Sequence, residues 1–297
     1  MNIMNRDCML HISLLEGQAR ALLIESTQMV EDARRIHSLS RIATAALGRT
    51  MTATAMMASM LKGGQESVSV TIKGGGPIGS VVAVGHPDGT VKGYVDNPGV
   101  DLPRTGKKLP VGEAVGKKGK LTVVKDLGLR DPYVGQTNLV SGEIAEDFAM
   151  YFTASEQVPS LVALGVLVSD HVESAGGLLI QMMPGASEAA IRSVEMSAGM
   201  YADISSTMKE FHLDSAVDQL LCHLQPEILS RSQPVFRCNC SRERIERVLI
   251  TLGREELEDM IAEQHGAQVD CHFCNKRYEF SEDNLKELLR HATGEVK

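Results

Sequence analysis

Four of the six cysteines, Cys238, Cys240, Cys271 and Cys274, fall in a 37-residue window as a C-x-C pair followed by a C-x-x-C pair. Thiolate sulfur is the soft ligand that zinc takes in closed, four-coordinate sites, and two close pairs separated by a spacer can fold back onto one ion. Such a group has two stable chemical states, metal-bound thiolates or disulfides. The pattern therefore predicts either a structural zinc module or a redox switch, and a set of four unrelated buried thiols is the bland alternative. Thiolates held by a metal are also the form that peroxide or hypochlorite attacks. Each oxidised pair can close locally, Cys238 with Cys240 and Cys271 with Cys274. A small domain whose folding energy comes from zinc would unfold at that step.

The spacer from Ser241 to Asp270 has room for two short helices, Ser241 to Leu252 and Arg254 to Ala262, around Gly253. Ser281, followed by Glu282 and Asp283, starts a final helix reaching His291. The spacer carries eight acidic and four basic residues, which argues against a nucleic-acid-reading zinc module. His265 and His272 are competing ligands; His272 lies between two better ones and is read as a neighbour of the site. Cys8 reads as a small buried hydrophobe in a strand and Cys222 as a packing thiol at the end of a helix, with a fifth-ligand or extra redox role as the lesser alternative.

The rest of the chain must position this module. At 297 residues, 43% hydrophobic and 23% charged, it is globular and long enough for two domains. The net charge of -8 leaves no general affinity for polyanions, and no apolar run is long enough to span a membrane. No signal peptide is evident from Met1 to Ser13, so a reducing, cytoplasmic location is expected. Strand-like runs at Met9–Leu15 and Ala19–Ile24 precede a long helical stretch from about Gln28 to Leu61, whose second half is nearly uncharged. Strands follow at Ser67–Lys73, Gly79–Gly85, Thr90–Val95, Leu121–Asp126 and Tyr133–Val140, with Gly106–Lys120 read as an exposed loop. Ile144, Phe148, Tyr151 and Phe152 share one helical face. Leu161–Val168 and Leu178–Met183 form a further strand pair around a turn at Glu173–Gly177. Residues 187 to 224 read as two helices, the first capped by Ser187 and the second carrying Val217, Leu220, Leu221 and Leu224, that must lean on another surface to stay folded. The resulting expectation is an α+β fold: a mixed sheet-and-helix domain over 1–184, a helical linker over 185–232 and a four-cysteine module over 233–297.

Two further motifs have bland readings that prevail. Gly74, Gly76 and Gly79 match G-x-G-x-x-G, but Pro77 and a strand follow instead of a helix, so the run is a turn and not a dinucleotide site. Met51, Met56, Met57 and Met60 could present an adaptable binding surface; core packing is the simpler reading.

Phe236-Arg237-Cys238-Asn239-Cys240-Ser241-Arg242-Glu243-Arg244, then Cys271-His272-Phe273-Cys274 and Tyr278-Glu279-Phe280, resemble the bacterial heat-shock protein 33 family of redox-regulated, ATP-independent holdase chaperones. Lys73-Gly74-Gly75-Gly76-Pro77-Ile78-Gly79 and the domain order extend the resemblance over nearly the whole chain. The resemblance implies that Cys238, Cys240, Cys271 and Cys274 bind one zinc ion in a reduced, inactive form. Oxidation would form the two local disulfides and release zinc. The linker at about 185–232 would then unfold, and a homodimer would hold unfolding client proteins. A constitutive zinc-stabilised adaptor is the alternative. No nucleophile elbow or H-E-x-x-H motif is present, and four thiolates leave a metal no open position, so an enzyme is not expected.

Overall fold

The computed structural model describes residues 7–103, 106 and 108–292, so Arg6 and Lys107 lie outside the described residues. The chain divides into two compact units between Arg237 and Cys238.

The first unit is built on two sheets. A hairpin, β1 (Cys8–Leu14) and β2 (Ala19–Glu25), leads into helices α1 (Thr27–His37) and α2 (Arg41–Ala58). Strands β3 (Ser67–Lys73), β4 (Ser80–Gly85) and β5 (Thr90–Val95) follow, then the short helix α3 (Val111–Val115), strands β6 (Lys120–Asp126) and β7 (Tyr133–Asn138), and helix α4 (Ala145–Ala154). After β8 (Ser160–Val168) and β9 (Val172–Met182) come three helices, α5 (Glu188–Ser197), α6 (Ile204–Glu210) and α7 (Leu213–Leu221), and two strands, β10 (Glu227–Ser232) and β11 (Val235–Phe236). The five-stranded sheet runs β10-β1-β2-β9-β8 and the six-stranded sheet β11-β5-β4-β3-β6-β7. Every pairing is antiparallel except β11 on β5.

Helix α2 packs against strands of both sheets. Every residue in it except Arg41 and Arg49 is buried, which its uncharged Ala-Thr-Met composition requires. Its buried threonines satisfy themselves: the hydroxyls of Thr44, Thr50, Thr52 and Thr54 donate to carbonyls one turn back at 2.7–2.9 Å. Met51, Met56 and Met57 are core residues. The long helical stretch expected from the sequence is broken in two. Ser38 takes a left-handed conformation (φ 50°) that ends α1, and the Ser40 side chain accepts from Ala43 N–H to cap α2.

The strand pair β8–β9 turns at 169–171, not at Glu173–Gly177 as the glycines suggested. Those small residues lie inside β9, where a helix rests on them. The lysine- and glycine-rich stretch Gly106–Lys120 is not all exposed loop: Val111, Ala114 and Val115 are fully buried on α3. The glycine run explains why. A Cβ on Gly76 would lie 2.3 Å from the Ala114 carbonyl oxygen, so only glycine lets the β3–β4 turn close on α3.

Strand alternation gives the five-stranded sheet two buried faces. Met9, Leu22, Ile24 and Leu179 face the core shared with α2. Leu10, Ile12, Leu14, Leu23, Leu178 and Ile180 face the other way, onto Val194, Tyr201, Ile204, Met208, Val217 and Leu221 of the 188–224 segment. That segment holds three helices and two 3₁₀ turns instead of two helices, and Met200 sits in the first 3₁₀ turn beyond α5. Strand β10, which the sequence pattern hides, is exposed along the sheet edge. In contrast, β11 is anchored: Val235 and Arg237 N–H donate to Gly89 and Val91 carbonyls at 2.9 Å, and Phe236 packs into the core edge-on to His37.

The second unit contains α8 (Arg242–Thr251), α9 (Arg254–Gln264), the hairpin β12 (Gly266–Asp270) and β13 (Arg277–Ser281), and α10 (Glu282–Ala292). The three helices match the sequence expectation; the hairpin was not anticipated. Its core is small, with Leu249, Leu257, Cys271, Tyr278, Phe280, Leu285 and Leu288 buried. Domains this short with so few core residues usually need a disulfide or metal staple. Among the described residues of the chain, no helix is long and apolar enough to cross a membrane.

Candidate metal centre

Each cysteine pair sits at a point where the backbone is tightly constrained. Cys240 immediately precedes Ser241, whose hydroxyl accepts from Arg244 N–H (3.3 Å) and caps α8, so Cys240 lies at the positive end of that helix. Cys271 and Cys274 lie in the turn of the β12–β13 hairpin. Cys271 N–H donates to Lys276 O (2.9 Å), and Cys274 and Asn275 N–H donate back to Cys271 O (3.2 and 2.8 Å). Asn275 adopts a left-handed conformation (φ 57°), which closes this turn.

The four Sγ atoms lie within 4.8 Å of one another. Cys238 and Cys271 sulfurs are 3.7 Å apart and those of Cys240 and Cys274 are 3.4 Å apart. A tetrahedron of thiolates around zinc at ~2.3 Å has edges of about 3.8 Å. The donor set, its spacing and its partial burial therefore fit a closed four-thiolate site, and the four residues could hold a metal ion. Among the described residues no such group includes Cys8, half-buried in β1, or Cys222, which is exposed in the turn after α7. His272 is exposed between the two hairpin cysteines, and His265 faces Glu282 (3.3 Å) at the end of α9.

The protons on these sulfurs are unequally held. Burial pushes the Cys238 thiol up and lifts Cys274 to about 11. Burial also works against charge on Cys240, but donation from the Tyr278 hydroxyl and from the neighbouring thiols outweighs it and brings Cys240 down to about 7. The hydrogen bonds thus favour a thiolate at Cys240. A cation is what would let Cys238 and Cys274 ionise against their burial.

Two polar braces join the halves of the site. Tyr278, buried on β13, donates its hydroxyl to Cys240 Sγ at 3.1 Å. Arg242 donates to Glu279 O (2.9 Å), Asn284 Oδ1 (2.9 Å) and Glu246 Oε1 (3.1 Å), and stacks 4.4 Å over the Phe280 ring. Neither role is evident from spacing; the alternating Arg277-Tyr278-Glu279-Phe280 run after the second pair was the available signal for the strand that carries Tyr278.

The family model described as Hsp33 protein matches residues 7–281. A 33 kDa chaperonin of Clostridioides difficile is 46% identical over 96% of this chain and 99% of its own length. One from Acetivibrio thermocellus is 46% identical over 96% and 97%. The crystal structure of the 33 kDa chaperonin (heat shock protein 33 homolog) from Thermotoga maritima superposes with a TM-score of 0.87 at 36% identity, covering 97% of this chain and 99% of that one.

Proposed function

The chain belongs to the Hsp33 family, and from that premise we propose that it is an ATP-independent holdase switched by the oxidation of Cys238, Cys240, Cys271 and Cys274. The observation that carries this reading is the four-sulfur cluster set in a module with few core residues of its own. Bound there, zinc would supply the cross-link that such a module lacks.

The reactive step belongs to the sulfurs. Two thiols and one peroxide give one disulfide and two waters; the sulfurs lose two electrons to the peroxide oxygens, and the thiol protons leave with the water. A disulfide sulfur no longer offers a thiolate, so the ligand set is lost pair by pair. We assign the disulfides to Cys238–Cys240 and Cys271–Cys274. The crossed pairs Cys238–Cys271 and Cys240–Cys274 lie 3.7 and 3.4 Å apart, so peptide mapping is the test of that assignment.

The segment from 185 to 232 is the metastable element. Helices α5, α6 and α7 have 10, 7 and 9 residues. Isolated helices shorter than ~12–15 residues are marginal in water, so these owe their order to docking on the sheet. Undocked, they would uncover Leu10, Ile12, Leu14, Leu23, Leu178 and Ile180 as one apolar face. Contiguous apolar faces of that kind bind unfolding proteins, and the net charge of -8 keeps the carrier dispersed. The switched form is proposed to be a homodimer in the cytoplasm, with no nucleic-acid or membrane partner.

The test is light scattering of a chemically unfolded client diluted into the protein, comparing reduced zinc-loaded and peroxide-treated samples while released zinc is followed. Suppression of aggregation only after oxidation and metal loss supports the switch. Equal behaviour of the two samples replaces it with a constitutive zinc-stabilised adaptor.

A further inference from the structure

The four sulfurs of the cluster are not equivalent, because one of them accepts a hydrogen bond from a side chain that is not a ligand. Tyr278 is 6% exposed, and its position in register opposite Val269 on the β12–β13 hairpin fixes the direction of its ring. The Lys276 ammonium lies 5.1 Å from the centre of that ring. The hydroxyl reaches across from the hairpin half of the module to Cys240 Sγ of the other half, at 3.1 Å. Phenol is a donor of suitable strength for a thiolate, and hydrogen bonds to charged acceptors are roughly twice as strong as neutral ones. Four thiolates on a divalent cation leave a net double negative charge, so a fixed donor at one sulfur offsets charge that would otherwise be buried uncompensated.

We propose that Tyr278 is a positioning residue for the metal centre, its hydroxyl donating to the Cys240 thiolate to orient that ligand and hold part of its charge. This rests on the reading of the four cysteines as metal ligands and adds to it a determinant of how tightly the metal is kept. Arg242 supplies the built-in comparison. It braces the same two halves through Glu279, Asn284, Glu246 and the Phe280 ring, with none of those contacts made to sulfur.

The experiment uses the reduced full-length chain, with Co(II) as the spectroscopic probe and zinc affinity measured by chelator competition. Tyr278→Phe keeps the ring and removes only the hydroxyl. Loss of a hydrogen-bonding partner around a metal ligand typically costs 10–100-fold in metal affinity, and that is the expected drop. The sulfur-to-cobalt charge-transfer band of the saturated variant should also move to lower energy, because an unbonded thiolate holds its lone pairs less tightly. Arg242→Gln should lower the thermal stability of the module and leave the band where it is. A Tyr278→Phe protein with an unmoved band overturns the proposal even if its affinity falls, since packing alone would then explain the loss. Unchanged or tighter affinity overturns it as well, as does a complete loss of cobalt binding, which marks collapse of the module. If the unaltered chain binds neither metal, the metal-centre reading itself fails, which is a different result from a bound metal that ignores Tyr278.

Discussion

The seat beneath α6 offers a way to loosen the helical cover without touching a cysteine. Gly165 on β8 and Gly176 on β9 lie opposite each other in register and leave a bare patch on the sheet. A Cβ on Gly165 would stand 2.7 Å from Ser205 Cβ and 2.8 Å from Ser205 N, both on α6. Ordinary contact between such atoms is ~3.5–4.0 Å, so the helix must lift by roughly 1 Å. Gly165 does not have a positive φ, so alanine fits the strand itself and the strain falls on the helix. Overpacking of this kind costs about 1–3 kcal/mol, a shift of roughly 5- to 150-fold in the docking equilibrium. Gly165→Ala should therefore speed amide exchange across 204–221 by that factor in the reduced, metal-loaded protein. It should also give partial suppression of client aggregation with no oxidant present. Unchanged exchange would show that the strain is absorbed elsewhere. Faster exchange with no gain in holding activity would refute the idea that the covered sheet face is what clients meet.

Other perturbations probe the remaining contacts. Glu31 accepts from Arg34, Arg35 and Val172 N–H at 2.7–2.9 Å. Burial disfavours its charge, but those donors outweigh burial and lower its pKa from 4.5 to about 2. Its stabilisation is therefore complete above pH 4.5 and drains as pH falls toward 2. Glu31→Gln should cost on the order of 1–2 kcal/mol at neutral pH, discounted for screening around the exposed Arg35, with the deficit shrinking below pH 4.5 in urea titrations. Removing metal from the reduced chain with a strong chelator should abolish exchange protection in 238–292 and expose four titratable thiols, while α2 amides stay protected. A double Cys8→Ser, Cys222→Ser variant should keep the full oxidant response in the client assay, because neither sulfur belongs to the cluster.

What could be read in the sequence was what depends on local rules. The cysteine pairs carry their chemistry in their spacing, and Ser241, Gly253 and Ser281 mark helix boundaries by local rules of capping and backbone freedom. Strands β3 and β4 alternate cleanly because one face is buried and the other is not. The errors arose where tertiary contact overrode a local signal. Val111, Ala114 and Val115 are hidden among lysines and glycines because the segment is apolar on one side only. Strand β10 has no burial pattern of its own, since it is ordered by pairing with β1. The strand that carries Tyr278 shows in its alternation, but the hydroxyl's contact with Cys240 does not, because a hydroxyl directed at sulfur leaves no periodic trace.

The misplaced β8–β9 turn shows how a packing feature can look like a breaker. Glycines weaken an isolated strand, so Gly176 and Gly177 argued for a turn. In the sheet they perform opposite tasks on opposite faces. A Cβ on Gly177 would meet Thr52 of α2 and Leu164, whereas one on Gly176 would meet Met208 of α6 and the Ile24 carbonyl. The first tightens the core shared with α2, and the second flattens the seat of the helix proposed to undock. A bare seat lets a short helix dock closely, yet offers few side-chain knobs to hold it. Filling the seat from the sheet side should therefore release the helix, whereas enlarging the apolar contact from the helix side should hold it, which places the control of docking in residues that no motif marks.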